Sequence, residues 1–262
     1  AANGEKDVVY PFDEHHIVNP LQGPLAALID ENGTRTARLR VFDMGGYQQC
    51  STRSFAVDGQ VEVRPSRADR LLFSPNGDGV LDDVTLTYGA DEAVTLDVDI
   101  HAAVAISIGG YEITGPVLRR LISQRQILAG EETVVWEGRG DGGNVLADGL
   151  YGIVFTHRDS CGNLQKTRVF VTIDNTPPAV AIAYPKTGDP LPMMVEVQGS
   201  VNDPHLQGYS IDFGIGAVPE SWAVLAASAR NDTDKVLATW NTYGLEGAHV
   251  LRVVASDRVG NQ

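Results

Sequence analysis

The residue types best suited to metal chemistry alternate along one short stretch, residues 73–83, with the sequence FSPNGDGVLDD. Oxygen-bearing side chains recur there at Ser74, Asn76, Asp78 and Asp82. Laid on the pattern of a calcium-binding loop, the ligand positions fall on Asn76, Asp78, the carbonyl of Val80, and Asp82. The first and last strong ligands of that pattern are missing, because Ser74 and Thr85 stand there. A helical EF-hand is therefore excluded.

Two interpretations of this loop stay open. In the first, the four positions bind Ca²⁺. In the second, Asn-Gly and Asp-Gly form two successive turns, in which the glycines adopt positive φ and the Asn and Asp side chains bond nearby backbone N–H groups. The second needs no ion.

A further set of oxygen ligands flanks a proline-containing linker. Asp174 and Asn175 precede Pro177 and Pro178, and Asn202 and Asp203 follow about 25 residues later. If the linker joins two domains, these residues could bring oxygen ligands together at the boundary and hold Ca²⁺ there. Two ordinary Asx turns are the alternative.

No arrangement typical of an active site is present. The chain has no H-E-x-x-H, G-x-S-x-G or C-x-x-C motif. A G-x-G-x-x-G occurs at residues 138–143, but another turn follows it instead of a helix, so it is not a dinucleotide site. The Arg-Gly-Asp triplet inside it, and the Asp-Glu-His-His of residues 13–16, are typical of ordinary loops. We expect the chain not to be an enzyme.

The overall charge excludes two classes of partner. Twenty Lys and Arg against 34 Asp and Glu give a formal net charge of −14 over 262 residues. A field of that sign repels phosphate, so we expect neither nucleic-acid binding nor attachment to anionic membranes. The longest weakly polar stretch, residues 101–110, is far shorter than the ~20 residues of a membrane span, so no direct insertion is expected.

The elements that position these residues follow from an internal repeat. Three segments are apolar runs that end in Asp-x-x-Gly: residues 39–47, 152–163 and 250–261. In the first two, a second apolar run follows and ends in another Asp, 15 residues after the first. This pattern predicts a strand, a tight turn and a second strand. The third copy stops five residues after Asp257, so we expect the chain to be cut from a longer one.

The repeat predicts an all-β chain of tandem β-sandwich domains, since sandwich domains have roughly 100 residues. The expected divisions are residues 1–66 (a partial domain), 67–175, and 176–262 (C-terminally truncated), with linkers at 59–70 and 174–178. Period-two alternation at 84–88 and 94–100 is typical of strands. Residues 117–128 fit a strand or a helix, and we favour the strand; residues 223–230 are the other candidate helical turn.

The middle division resembles a known family. Residues 73–82, 135–139 and 143–151 are similar, in order, to motifs of the immunoglobulin-like (Ig-like) domain of the flagellar hook-capping protein. The resemblance implies that Trp136 and Tyr151 are core residues and that the domain is an accessory to assembly. Residues 102–115 are longer than the equivalent hairpin of that family.

Residues 176–262 resemble a second bacterial Ig-like type, found in large surface adhesins and beside Rhs-type toxin shells. The matching residues include Trp222 and Trp240, and Trp240 is expected to be structural. Cys50 and Cys161 occupy unequal places in their repeats, which favours free thiols, or cysteine partners outside this stretch of chain, over a Cys50–Cys161 bridge.

These observations together predict a non-catalytic stalk, spacer or protein-interaction segment of a large bacterial adhesin or assembly protein. It would lie outside the cell, at the surface or in the periplasm, and its partners would be proteins or other domains of its own chain. The alternative is a set of accessory domains of a large secreted enzyme or Rhs-type toxin with its catalytic part elsewhere.

Overall fold

The computed structural model describes residues 33–42 and 48–262. Every regular element in this part of the chain is a β-strand, which confirms the all-β prediction. Two of the sequence predictions, on residues 13–16 and on the turn that begins at Asp43, lie outside the described residues.

The first unit is described as one antiparallel hairpin, formed by β1 (Gly33–Phe42) and β2 (Gln48–Val57). Its register pairs Gly33 with Val57 and Phe42 with Gln48 without a bulge. These are the two strands that the repeat predicts on either side of its turn.

The second unit is a sandwich of two sheets. One sheet has the order β4-β10-β9-β6-β7 and the other β3-β5-β8. The strands are β3 (Val63–Ala68), β4 (Leu72–Phe73), β5 (Val84–Ala90), β6 (Val94–Ala105), β7 (Tyr111–Ile127), β8 (Gly130–Trp136), β9 (Gly149–Arg158) and β10 (Leu164–Ile173). All neighbours are antiparallel except the short β4, which runs parallel to β10.

The core of the second unit follows from alternation along the strands. Val84, Leu86 and Tyr88 of β5 are buried, while the residues between them are partly exposed. Trp136 lies at the centre, with its ring 5.5 Å from Phe73 and 5.7 Å from Tyr151. Both polar groups at this centre are bonded, since the Trp136 indole donates to the Arg139 carbonyl (3.0 Å) and the Tyr151 hydroxyl to the Ala147 carbonyl (2.6 Å). The two rings are therefore buried without leaving a hydrogen-bond donor unpaired.

The third unit is a smaller sandwich of two three-stranded sheets, β11-β12-β15 and β14-β13-β16. The strands are β11 (Ala179–Tyr184), β12 (Met194–Asn202), β13 (Leu206–Ile215), β14 (Ala223–Ser228), β15 (Asp232–Asn241) and β16 (His249–Asp257). A separate core of its own fills the space between them. Trp240 belongs to this core and packs on Phe213 at 5.4 Å.

Two sequence expectations are corrected. Residues 223–228 form strand β14 instead of a helical turn, because they pair along β13 from Tyr209 to Phe213. The expected linker at residues 59–70 contains β3, which crosses the predicted boundary between residues 66 and 67. Residues 117–128 are in strand β7 up to Ile127, as favoured, and the β6–β7 hairpin extends to Ala105 and Tyr111.

Candidate functional site: the repeated domain junctions

The turn that follows β16 is built around the Asp257 carboxylate. One of its oxygens accepts hydrogen bonds from the backbone of Val259 and Asn261 (both 2.9 Å), and the other accepts from the Asn261 side-chain amide (2.7 Å). Gly260 has φ +97°, the left-handed region that favours glycine. The Asp-x-x-Gly pattern is therefore a capped turn that presents the next residue, Asn261.

Asn261 reaches across the boundary between the second and third units. Its amide nitrogen donates to the backbone carbonyl of Asp174, the residue after β10, at 2.9 Å. Asn261 is 5% exposed and Asp174 6%. Because the contact is almost dry, water does not compete for the carbonyl.

The first junction repeats this arrangement. The Asn163 amide donates to the backbone carbonyl of Asp58 at 3.0 Å and to the Asp159 carboxylate at 2.7 Å. The Asn163 backbone donates to the other Asp159 oxygen at 2.9 Å. Burial alone would raise the pKa of Asp159, but the hydrogen bonds from Asn163 and the backbone of Cys161 and Gly162 outweigh it and lower that pKa. Two boundaries thus share one bonding scheme.

Residues 73–82, here called the SPNGDG loop, contact the second junction. Ser74 is buried, and its hydroxyl donates to the Asn261 side-chain oxygen at 2.9 Å. The Asn76 amide donates to the same oxygen at 3.0 Å. A Cβ on Gly260 would lie 3.3 Å from Val80 Cγ1, so this part of the turn lies against the loop.

The other side-chain oxygens of the loop bond its own backbone. The Asp82 carboxylate accepts from the N–H groups of Gly77 and Gly79 (both 2.7 Å). Asp78 accepts from Val80 N (2.7 Å), and Asn76 from Asp78 N (2.9 Å). This is the double turn of the second interpretation. Calcium binding by Asn76, Asp78, Val80 and Asp82 stays a prediction.

The predicted boundary set is brought together in part. A side-chain oxygen of Asp174 lies 2.5 Å from His205 Nδ1, and an Asp203 oxygen accepts from His205 N at 2.6 Å. Ligand atoms of Asp174, Asp203 and His205 all lie within 4.8 Å of one another. Asn175 instead bonds Asp148, and Asn202 bonds Thr233. Sequence analysis missed His205, which no motif marks.

Electrostatic repulsion acts on this cluster. Burial raises the pKa of Asp203, and the nearby carboxylates of Asp174 and Asp257 add to that rise, against a hydrogen bond from the His205 backbone. At the first junction, ligand atoms of Asp58, Glu92 and Asp159 lie equally close together. One Asp58 oxygen is buried there without a hydrogen-bond partner.

The remaining motifs do not form sites. In the Arg-Gly-Asp triplet, Gly140 is buried and Asp141 N donates to the carbonyl of Leu118 on β7. The triplet therefore packs against β7 and does not form a free loop. A turn and a bridge between Arg139 and Val145 follow, with no helix at residues 138–150. Cys161 is an exposed free thiol, and its hydrogen bond to Asp58 raises its pKa. The structure does not describe the side chain of Cys50.

The described units place the chain in a class of tandem β-sandwich modules in which hydrogen bonds join consecutive units at their boundaries. No family model matches the chain, and no curated protein matches it. One similar solved structure is a tetra-tandem repeat in the extending region of a large adhesion protein, with 16% identity and a TM-score of 0.33. The match covers 88% of this chain and 54% of that one, so the chain spans about half its length. The described residues include no helix long and apolar enough to cross a membrane.

Proposed function

We propose that this chain is a non-catalytic spacer segment of tandem Ig-like modules that holds a distant part of a bacterial cell-surface adhesin or assembly protein away from the surface. One observation carries the proposal: the same Asn-to-carbonyl bond closes both described boundaries. A segment that needed only flexible linkage would not need a specific polar contact at each boundary, buried at the second and partly buried at the first.

The second junction has enough bonds to restrict bending. Four contacts cross it: from Asn261 to Asp174, from Ser74 and Asn76 to Asn261, and between His205 and Asp174. At about 1 kcal/mol net for each bond, they contribute about 4 kcal/mol to docking, against the entropy lost when the two units are held together. Pro177 and Pro178 further limit the linker.

The acidic composition and the two Ig-like resemblances support a place outside the cell, and protein partners over nucleic acid or lipid. Modules of one sign also repel one another along the chain, which favours an extended arrangement at low salt.

Small-angle X-ray scattering tests the spacer function. The wild-type chain should be elongated and fit a narrow set of conformations. The double variant Asn163→Asp/Asn261→Asp, which removes both donors, should give a broader and on average shorter ensemble. The matched control Asn144→Asp/Asn241→Asp makes the same charge change at exposed positions. A compact wild-type particle, or identical profiles for all three proteins, would contradict the proposal.

We also propose that a divalent cation, Ca²⁺ by sequence prediction, binds at Asp174 and Asp203. The carboxylates suit Ca²⁺, which prefers oxygen ligands, while the His205 nitrogen suits Zn²⁺ better. A cation would relieve the repulsion that raises the pKa of Asp203.

Thermal unfolding in millimolar Ca²⁺, in Zn²⁺ and in EDTA tests this site. Binding to the folded state alone should raise the melting temperature, by the equivalent of about 2.7 kcal/mol at a hundredfold excess over Kd. Asp203→Asn should abolish the rise, whereas loss of the rise in Asp78→Asn would place the ion in the SPNGDG loop. Superimposed curves in all three solutions would exclude both places.

A further inference from the structure

We infer that the SPNGDG loop and the Asp174 carbonyl form a recognition site for the following module, and that this site selects a module in which an Asp-x-x-Gly turn is followed directly by Asn. The inference deepens the proposed function by naming the partner of one junction. It rests on that function only in requiring the junction to be docked in solution.

Asparagine is required because its whole carboxamide is used. The two N–H bonds of Asn261 go to the Asp257 carboxylate (2.7 Å) and the Asp174 carbonyl (2.9 Å). Its oxygen accepts from Ser74 (2.9 Å) and Asn76 (3.0 Å). A carboxamide has two donor hydrogens and two acceptor lone pairs, so every one is paired. Aspartate has the same shape but lacks the donors, and it would place a charge against a carbonyl and a carboxylate.

Glycine is required at the position before it. Gly260 has φ +97°, which a side chain tolerates poorly. A Cβ there would also press on Val80 at 3.3 Å. The loop surface therefore fits a turn with no side chain at this point.

The loop is arranged before docking, and this divides its residues into two groups. The carboxylates of Asp78 and Asp82 hold the backbone of the loop. The oxygen of Asn76 caps Asp78 N, which fixes the amide so that its nitrogen points at Asn261. Ser74, Asn76 and Val80 are then available to the neighbour without further ordering, which lowers the entropic cost of recognition.

The first junction supplies an internal comparison. Asn163 also follows a glycine, Gly162, and donates to a carbonyl of the preceding unit. The same Gly-Asn pair is thus presented by each of the two modules that follow a described boundary. This recurrence agrees with the inference that the surface of the preceding unit selects a Gly-Asn pair.

Residual dipolar couplings of backbone amides test the inference in the full chain. In the wild type, the second and third units should share one alignment tensor. Asn261→Asp should abolish the shared tensor while the amide shifts of both cores stay in place. The control Asn163→Asp changes only the first junction and should keep the second and third units on one tensor.

A second variant avoids the turn altogether. Val80→Asp alters a half-exposed loop side chain and places a charge against Gly260. It should therefore also give the second and third units different alignment tensors. If Asn261→Asp and Val80→Asp both keep one tensor, the recognition inference is overturned and the spacer function stands. Two tensors in the wild type would overturn both.

Discussion

Replacement of His157 by leucine should stabilise the second unit. His157 is fully buried on β9, on the same face as Ile153 and Phe155, and neither ring nitrogen makes a hydrogen bond of good geometry. A buried polar group left unpaired costs about 1–3 kcal/mol. Leucine has a similar volume and no polar atom, so His157→Leu should regain part of that cost. For a unit of this size, each kcal/mol raises the melting temperature by roughly 4–8 °C.

The same histidine should make the wild type sensitive to mild acid. Burial lowers the pKa of His157 below its usual 6.5, and a weak hydrogen bond with the Gln165 backbone opposes this only in part. The unfolded chain therefore binds the proton first as the pH falls below about 6.5. The contribution of neutral His157 to the stability is complete above about pH 6.5. It is lost as the pH falls from there to the lower pKa that His157 has in the folded state. Each tenfold difference in proton affinity corresponds to about 1.4 kcal/mol.

Urea unfolding followed by the NMR amide signals of the second unit measures both effects, because Trp222 and Trp240 would add third-unit fluorescence to that of Trp136. Midpoints at pH 7.5 and 5.5 should differ in the wild type and in the control His101→Leu, which alters a histidine outside the core. The difference should shrink in His157→Leu. A variant less stable than wild type at pH 7.5, or with an unchanged pH dependence, would refute the argument.

Two further changes should destabilise the third unit. A Cβ added at Gly199 would lie 2.1 Å from the Ala181 carbonyl oxygen, so Gly199→Ala should lower the unfolding free energy by roughly 3 kcal/mol or more, seen as a lower denaturant midpoint with unchanged second-unit signals. Tyr209→Phe removes the hydrogen bond to Asp232 (2.7 Å) and should cost about 1–2 kcal/mol. That bond lowers the pKa of Asp232. The difference in unfolding free energy between Tyr209→Phe and wild type should therefore vanish as the pH falls below the pKa that Asp232 has in the folded protein.

Strong local patterns were enough to predict most of the sandwich. The alternation at residues 84–88 and 94–100 predicts β5 and β6 because one face of each strand is buried. Residues 223–228 lack that pattern, since alanines dominate them, and only pairing with β13 makes them a strand. In β3, Pro65 suggested a linker. It is tolerated because the register with β5 shifts between Arg64 and Arg67.

The junction was visible in the sequence only in part. The Asp-x-x-Gly turns at Asp159 and Asp257 were predicted, and an asparagine follows the glycine in both. Its partner is a backbone carbonyl 87 residues earlier at the second junction, which no local pattern specifies. His205 likewise meets Asp174 only because the third unit is docked. The SPNGDG loop suggested a metal because its oxygens alternate, and the neighbouring turn supplies the Asn261 oxygen to which both Ser74 and Asn76 donate.

The central claim is that Asn163 and Asn261 bond the preceding unit in solution. Hydrogen exchange of their side-chain amides, followed by NMR in the wild-type chain, tests it most directly. The amide protons of both residues should exchange many-fold more slowly than those of Asn241, which is exposed. Exchange of either amide at the rate of Asn241 would show that its junction is open and would contradict the account.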